Sequence, residues 1–153
     1  MIRDAANTLC VKTLAAGLII TEPAILSANV ANTNITCYSA NNGTITITSP
    51  AGGHASYEYS INGGGSWQGS GSYTALPPGS YNVQIRDAIY TGCYKVLNAA
   101  LAITQPPVLQ ASVASTNVTC NSAADGTISI TGATGGYGTY YYTINGGTSL
   151  QFL

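Results

Sequence analysis

The sequence predicts an all-β protein made of tandem immunoglobulin-like β-sandwich repeats. Two observations carry this prediction. Apolar and polar residues alternate with a period of 2 in short runs, turn residues separate these runs every eight to twelve positions or so, and no segment has a helical period. In addition, whole motifs recur with an offset of 83 positions. Roughly seven short strands in one repeat is the strand content of such a sandwich.

The repeat covers most of the chain. Residues 20–64 and 103–147 share 26 identities in 45 positions aligned without a gap. The same offset reaches the N-terminus, where Cys10 matches Cys93. The sequence therefore predicts three parts, which are the end of one repeat over residues 1–20, a complete repeat over residues 21–103 and the first part of another repeat over residues 104–153.

The N-terminal residues also resemble a secretory signal peptide, because Arg3 precedes the apolar run Leu14–Ile20. The matching run Leu97–Ile103 lies in mid-chain, where a signal peptide cannot occur. We therefore interpret Leu14–Ile20 as a strand of the repeat. No run approaches the roughly 18 apolar residues of a membrane span, so membrane insertion is not expected.

Within the complete repeat, strands are expected at the alternating runs, with Trp67 in a further short crossing strand. These runs are Leu26–Val30, Thr44–Thr48, Tyr57–Ile61, Tyr73–Leu76, Tyr81–Ile85 and Cys93–Ile103. Tyr81 follows the Gly79 turn at the start of a strand, which predicts a tyrosine corner, the alternative being an ordinary core tyrosine. Pro23 and the pair Pro106–Pro107 lie at the repeat junctions and predict a stiff extended connector.

Charge is scarce, and this excludes several classes of function. Only 6% of the residues are charged, with four Lys/Arg, five Asp/Glu and one His, where about 25% is usual. Nucleic-acid binding needs a basic stripe that four cations cannot form. No nucleophile with a base and no paired carboxylates are evident, so we expect neither an enzyme nor a cofactor.

The four cysteines occur in phase with the repeat. Cys37 and Cys120 are early in their repeats, whereas Cys10 and Cys93 are late. A disulfide between Cys37 and Cys93 is therefore predicted within the complete repeat, free thiols being the alternative, and such a bridge implies an oxidising, extracellular location. Zinc is disfavoured because there is no CxxC motif and only one His.

Cys10 and Cys120 belong to the incomplete repeats, and we expect them to pair with a neighbouring repeat or between subunits. In the second case, residues 1–20 of one copy would complete residues 104–153 of the next by strand addition. The equivalents of residues 71–83 occur in neither partial repeat, which is a difficulty for this hypothesis.

Several other side chains are candidate sites. The N-x-Ser/Thr sequons, which are candidate glycosylation sites, are at Asn34, Asn42 and Asn117. The aromatic residues that could form a platform for sugar, or simply pack on strands, are Trp67, Tyr73, Tyr137, Tyr140, Tyr141 and Tyr142. The acidic residues Glu22, Asp87 and Asp125 are too sparse for calcium. His54 is expected to be solvated, and Arg3–Asp4 and Arg86–Asp87 are expected to be hairpin charges facing solvent.

Several motifs resemble the SprB repeat family, found in large surface adhesins of gliding bacteria. They are Ile103-Thr-Gln-Pro-Pro107, Thr33-Asn-Ile-Thr-Cys37, Asn42-Gly-Thr-Ile-Thr46, Tyr57-Glu-Tyr-Ser-Ile-Asn62, Leu76-Pro-Pro-Gly-Ser-Tyr81 and Arg86-Asp-Ala88 before Cys93. Ile89–Gly92 departs from the tight Asn-Gly turn that is usual in the family. The resemblance implies tandem Ig-like modules that are secreted and displayed on the cell surface as a stalk or adhesive surface, without catalytic residues.

The sequence thus predicts a structural subunit or stalk module of an extracellular bacterial filament or adhesin, assembled head to tail. Its expected partners are copies of itself or adjacent repeats, and glycans in addition. The alternative hypothesis is a carbohydrate-binding module that uses surface Tyr and Trp residues.

Overall fold

The computed structural model describes residues 1–15, 17–148 and 151–152, and these residues form an all-β protein. We refer to residues 1–20 as the N-terminal segment, residues 21–103 as the central segment and residues 104–153 as the C-terminal segment. Among the described residues there is no helix with the length and apolar character that crossing a bilayer requires.

Twelve strands lie in the described residues. They are β1 (Ile2–Arg3), β2 (Val11–Lys12), β3 (Ser27–Thr33), β4 (Gly43–Ala51), β5 (Tyr57–Ser60), β6 (Ser72–Leu76), β7 (Gly79–Asp87), β8 (Tyr94–Ile103), β9 (Gln110–Thr116), β10 (Thr127–Thr134), β11 (Tyr141–Tyr142) and β12 (Gln151–Phe152). In the central segment they coincide with the predicted strands to within a few residues. Trp67 lies in none of them, but the adjacent Gln68 forms an isolated bridge with Tyr59.

The central segment consists of two three-stranded antiparallel sheets, with the orders β3-β4-β6 and β5-β7-β8. Alternation places one apolar face of each sheet inward. The buried apolar side chains from both sheets and their loops form one core, which consists of Leu26, Ile35, Ile45, Ile47, Tyr59, Val83, Ile85 and Ile103. The core of the described chain therefore lies in the central segment.

The two ends of the central segment are distinct. At the Asp87 end, the Asp87 N–H donates to the Cys93 carbonyl at 2.9 Å, and the Gly53 N–H donates to the Ala24 carbonyl at 2.8 Å. At the Cys37 end, the Ile35 N–H donates to the Thr104 carbonyl at 2.9 Å. β3 and β8 both run from the Asp87 end to the Cys37 end, so the chain enters the segment at one end and leaves it at the other.

The N-terminal segment forms a small hairpin, with Ile2 opposite Lys12 and Arg3 opposite Val11. The predicted strand over Leu14–Ile20 is not formed by its described residues, and Ala16 lies outside them. Its counterpart β8 pairs with β7 back to Gly79, whereas no strand in the described residues pairs with the described part of Leu14–Ile20.

The C-terminal segment contains the antiparallel pairs β9-β10 and β11-β12. Its apolar residues are much more exposed than their counterparts in the central segment. Ile128 is 56% exposed where Ile45 is 0%, and Leu109 is 64% exposed where Leu26 is 6%. The apolar face of β9-β10 is therefore open to solvent, because the described residues of this segment include no counterpart of the β7-β8 hairpin.

Candidate functional site at the segment junction

The connector between the central and C-terminal segments is fixed by the residues around it. Ile103 and Pro106 are buried. The Thr104 N–H donates to Asn34 Oδ1 at 3.0 Å, and the Ser39 N–H donates to Gln105 Oε1 at 3.1 Å. These bonds, together with the fixed backbone of proline, hold the connector against the Cys37 end.

One side chain of the C-terminal segment reaches across this junction. The Tyr137 hydroxyl donates a hydrogen bond of 3.1 Å to the Ile35 carbonyl, which lies 102 positions earlier in the chain. Tyr137 lies next to the Gly135–Gly136 turn, whose Gly136 N–H donates to the Pro107 carbonyl at 2.9 Å. The turn and the connector thus bring the tyrosine to the Cys37 end, and no local sequence pattern predicted this contact.

The opposite end of the central segment is organised around a buried carboxylate. Asp87 is 0% exposed, and its Oδ1 accepts the N–H groups of Ile89 (2.8 Å) and Tyr90 (3.0 Å). Its Oδ2 accepts the His54 N–H at 2.6 Å and lies 3.0 Å from His54 Nδ1. The predicted solvent-facing position of Asp87 is therefore wrong, because the His54 loop covers the carboxylate and supplies its donors. His54 itself is exposed, as predicted.

The electrostatics of Asp87 follow from these donors. The Tyr90 N–H, with further bonds from His54 and Ile89, lowers the pKa of the carboxyl to about 2, although burial acts in the opposite direction. An ionised carboxylate only accepts hydrogen bonds, so the His54 Nδ1 carries the hydrogen in this pair. The His54 ring also packs against Tyr90, with ring centroids 4.4 Å apart. This cluster fixes the loops of the Asp87 end.

Arg86 does not face solvent freely either. Its Nε and one terminal nitrogen bond to Glu58 Oε2 at 2.7 and 2.6 Å, and the guanidinium lies 4.4 Å from the ring centroid of Trp67. The Trp67 indole N–H donates to the Gly64 carbonyl at 3.0 Å. The Trp67 ring is therefore occupied by intramolecular contacts, which supports the packing alternative over a role in a sugar platform.

The four cysteines are exposed free thiols. The predicted Cys37–Cys93 disulfide is not formed. Cys93 immediately precedes β8, whereas Cys37 lies two residues after Ile35, whose N–H donates to the Thr104 carbonyl just after β8 ends. Ten strand residues at about 3.3 Å each separate these two ends. A disulfide requires Cα atoms about 4.4 to 6.8 Å apart, so the geometry excludes this bridge.

Tyr81 makes the contact that a tyrosine corner requires. Its hydroxyl donates to the Pro77 carbonyl at 2.7 Å, and it lies near the start of β7. Burial raises the pKa of this tyrosine. The bond fastens the Pro77–Gly79 loop to β7.

The sequon residues lie in loops between strands. Asn42 Oδ1 accepts the Thr36 N–H at 3.1 Å, and the equivalent Asp125 accepts the Thr119 N–H at 2.9 Å. The position therefore uses an acceptor oxygen that either Asn or Asp supplies. Asn34 and Asn117 are exposed, and Asn34 also bonds to the connector.

The remaining aromatic residues are divided between packing and surface. The Tyr73 hydroxyl donates to the Tyr59 carbonyl at 2.8 Å, and burial raises the pKa of Tyr73 to about 12. The Tyr140 hydroxyl donates to the Gly135 carbonyl at 2.8 Å. Tyr137 and Tyr141 are 75% and 62% exposed, and Tyr142 is half-buried.

The described residues bring Glu22, Asp87 and Asp125 into no common metal site, and no group of three or more His, Cys, Asp or Glu side chains in the described ranges could hold a metal ion. The Asp87 oxygens bond to the chain itself.

The fold and the junction define an all-β chain in which one supersecondary arrangement occurs more than once. The sequence model of the SprB repeat family matches two places in it, residues 29–66 and 112–149. The chain therefore carries two copies of the SprB repeat, and the resemblance seen in the sequence is confirmed. No curated protein and no solved structure matches the chain significantly.

Proposed function

We propose that the chain is a non-catalytic structural module of an extracellular bacterial filament or adhesin stalk, built head to tail from Ig-like repeats of 83 residues. The observation that carries this proposal is the junction, where the connector, with Ile103 and Pro106 buried, and the Tyr137–Ile35 bond fix one segment on the end of another. A protein whose modules are held end to end is suited to act as a stalk that presents a binding surface at a distance from the cell.

The strand order supports the Ig-like interpretation. In that sandwich, strands A, B and E belong to one sheet and strands C, F and G to the other. In the central segment, taken in chain order, strands A, B and E correspond to β3, β4 and β6, which form one sheet. Strands C, F and G correspond to β5, β7 and β8, which form the other. Tyr81 near the start of β7 agrees with the corner tyrosine of strand F.

Local hydrogen bonds support the 83-residue repeat. The hydroxyls of Thr33 and Thr44 lie 2.8 Å apart, and those of Thr116 and Thr127 lie 2.7 Å apart. In the N-terminal hairpin, the Asp4 N–H donates to the Cys10 carbonyl at 3.0 Å, as Asp87 does to Cys93 in the central segment.

The exposed apolar residues support association between modules. Ile2, the counterpart of the fully buried Ile85, is 57% exposed, and so the N-terminal hairpin and the β9-β10 face each present half of a core. We propose that the hairpin of one copy covers the β9-β10 face of the next, by strand complementation. The Asp4 carboxylate, whose Oδ1 already accepts the N–H groups of Ala6 and Asn7, would receive the Tyr137 N–H as Asp87 receives that of His54.

The proposal is tested by electron microscopy and light scattering of the purified chain. Filaments with a spacing of one or two modules are expected, and Ile128→Ser should shorten or abolish them. Thr131→Ser, a mild change on the same strand, is the matched control. If both the wild-type chain and Ile128→Ser remain monomeric at high concentration, the proposed assembly is wrong.

A carbohydrate-binding module is the second candidate, favoured by the exposure of Tyr137 and Tyr141. Aromatic side chains on one exposed surface provide a stacking platform for sugar rings. If the chain is monomeric and binds glycan, and if Tyr141→Ala abolishes this binding, carbohydrate binding would be favoured over the structural function.

A further inference from the structure

We infer that the cysteines form disulfides across module junctions, from the early cysteine of one module to the late cysteine of the next. This inference rests on the proposed head-to-tail assembly and deepens it. It replaces a bridge within each module by a covalent link between modules.

Within one module, the early and late cysteines lie at opposite ends. Cys37 lies at the end where the chain leaves the central segment, whereas Cys93 lies at the end where the chain enters it. All four thiols are exposed, so each is accessible to another module. In a head-to-tail array, the early cysteine of one module therefore faces the end of the following module that holds the late cysteine.

The late cysteine lies close to the loop that carries His54, and the equivalent loop of the C-terminal segment contacts the junction. In the central segment, the His54 N–H bonds to Asp87, and Asp87 in turn bonds to Cys93 through the backbone. The late cysteine is therefore part of the His54 cluster. Tyr137 has the place of His54 in the C-terminal segment, and its hydroxyl bonds to Ile35, two residues before Cys37. Completion of that module would place a late cysteine on the same side of the junction as Tyr137, facing Cys37.

Each cysteine then has a definite partner in the neighbouring copy. When the hairpin of a second copy completes the C-terminal segment, its Cys10 is the late cysteine of that module and faces Cys37 of the first copy. By the same geometry, Cys120 of the first copy faces Cys93 of the second. Two bridges then connect each pair of successive copies, and all four cysteines are used.

The chemistry is ordinary thiol oxidation. Each bridge forms one S–S bond and breaks two S–H bonds, and two protons and two electrons pass to a disulfide oxidant, which is reduced to two thiols. Glutathione disulfide supplies this oxidant in the experiment.

The experiment compares four double variants of the full chain, oxidised with glutathione disulfide, alkylated and separated on non-reducing gels. Cys10→Ser/Cys37→Ser and Cys93→Ser/Cys120→Ser each retain one junction pair, and both should give a ladder of covalent oligomers. Cys37→Ser/Cys93→Ser and Cys10→Ser/Cys120→Ser retain no junction pair, and both should give the monomer band alone. Peptide mapping of the wild-type ladder should show Cys37 joined to Cys10.

Other results would overturn the inference. A ladder from Cys37→Ser/Cys93→Ser, or a closed Cys37–Cys93 loop in Cys10→Ser/Cys120→Ser, would show pairing within modules. Assembly itself is measured separately on a variant with all four cysteines replaced by Ser. If that variant assembles and the junction pairs give no ladder, only the disulfide inference fails. If it stays monomeric and no ladder forms from the wild type, the proposed assembly fails as well.

Discussion

His54 and Tyr137 occupy the same place in two copies of one repeat, yet their side chains bond to different partners. His54 Nδ1 lies 3.0 Å from the buried Asp87 carboxylate of its own segment. The Tyr137 hydroxyl donates instead to the Ile35 carbonyl of the preceding segment. One position of the repeat thus serves the interior of a module in one copy and the junction between segments in the other.

Removal of the Tyr137 hydroxyl should loosen the junction without unfolding the central segment. Tyr137→Phe deletes one hydrogen bond, worth about 0.5–1.5 kcal/mol. We expect faster proteolysis of the connector and a broader distance distribution in small-angle scattering. Tyr38→Phe changes another exposed tyrosine at the same end and should leave both measurements unchanged, and equal effects of the two variants would contradict a specific role for Tyr137.

Asp87→Asn should destabilise the central segment. The amide nitrogen that replaces one oxygen is a donor and would face the N–H donors of His54 or of the Ile89–Tyr90 turn. We expect a lower urea midpoint. Asp4→Asn is the matched control, because Asp4 makes the equivalent turn bonds at an exposed position, and it should have little effect.

The same carboxylate makes stability depend on pH in acid. The folded pKa of Asp87 is about 2, below its ordinary value of 3.8, so the folded state favours the ionised form. Its contribution is complete above pH ~4 and is lost as the pH falls from about 4 to about 2. The urea midpoint should decline over this interval, and Asp87→Asn should flatten the decline. The pKa of Asp125 in the C-terminal segment is also lowered, chiefly by the hydrogen bond from the Thr119 side chain. Asp125 is unchanged in Asp87→Asn, so any acid dependence that remains in this variant includes the contribution of Asp125.

Gly52 has a backbone that no other residue adopts without strain. Its φ is +85°, and an added Cβ would lie 2.2 Å from the Ile25 carbonyl oxygen. Gly52→Ala should therefore cost about 1–3 kcal/mol of unfolding free energy. Gly92→Ala, where an added Cβ meets nothing within 4 Å, should be close to neutral, and thermal denaturation of both variants provides the measurement.

Equivalent core positions should differ in their energetic effect. Ile45→Ala creates a cavity in a closed core and should cost about 2–5 kcal/mol. Ile128→Ala alters an exposed side chain and should change the unfolding free energy of the isolated chain by less than about 0.5 kcal/mol. A similar loss for both variants in dilute solution would mean that the β9-β10 face is already covered.

Alternation of apolar and polar residues was sufficient to predict the strands of the central segment, because a side-chain period of 2 is a local property of the chain. The burial of Asp87 could not be predicted in the same way. The motif Arg86–Asp87 looks like two surface charges, and the donors for Asp87 come in part from a loop 33 positions earlier. The only sequence signal for this burial was the presence of a histidine among glycines in one loop.

The prediction of the Cys37–Cys93 disulfide was wrong for a related reason. The phase of the repeat shows which module owns Cys37 and Cys93, but it does not show at which end of a strand each one lies. That information requires the direction of β8 and the bond between Ile35 and Thr104. The junction contact of Tyr137 could not be predicted from the sequence either, since it joins residues 102 positions apart.

The direction of the chain through the central segment determines how a pulling force would act on it. The chain enters at Leu26 and leaves at Ile103, and β3 and β8 run along the line between these ends. Hydrogen bonds of an antiparallel ladder lie perpendicular to its strands, so tension along this line loads the β3-β4 and β7-β8 ladders in shear. Many bonds must then yield together, whereas tension at a hairpin end would break them one by one. In a single-molecule stretching experiment, this segment should extend only after a high peak of force.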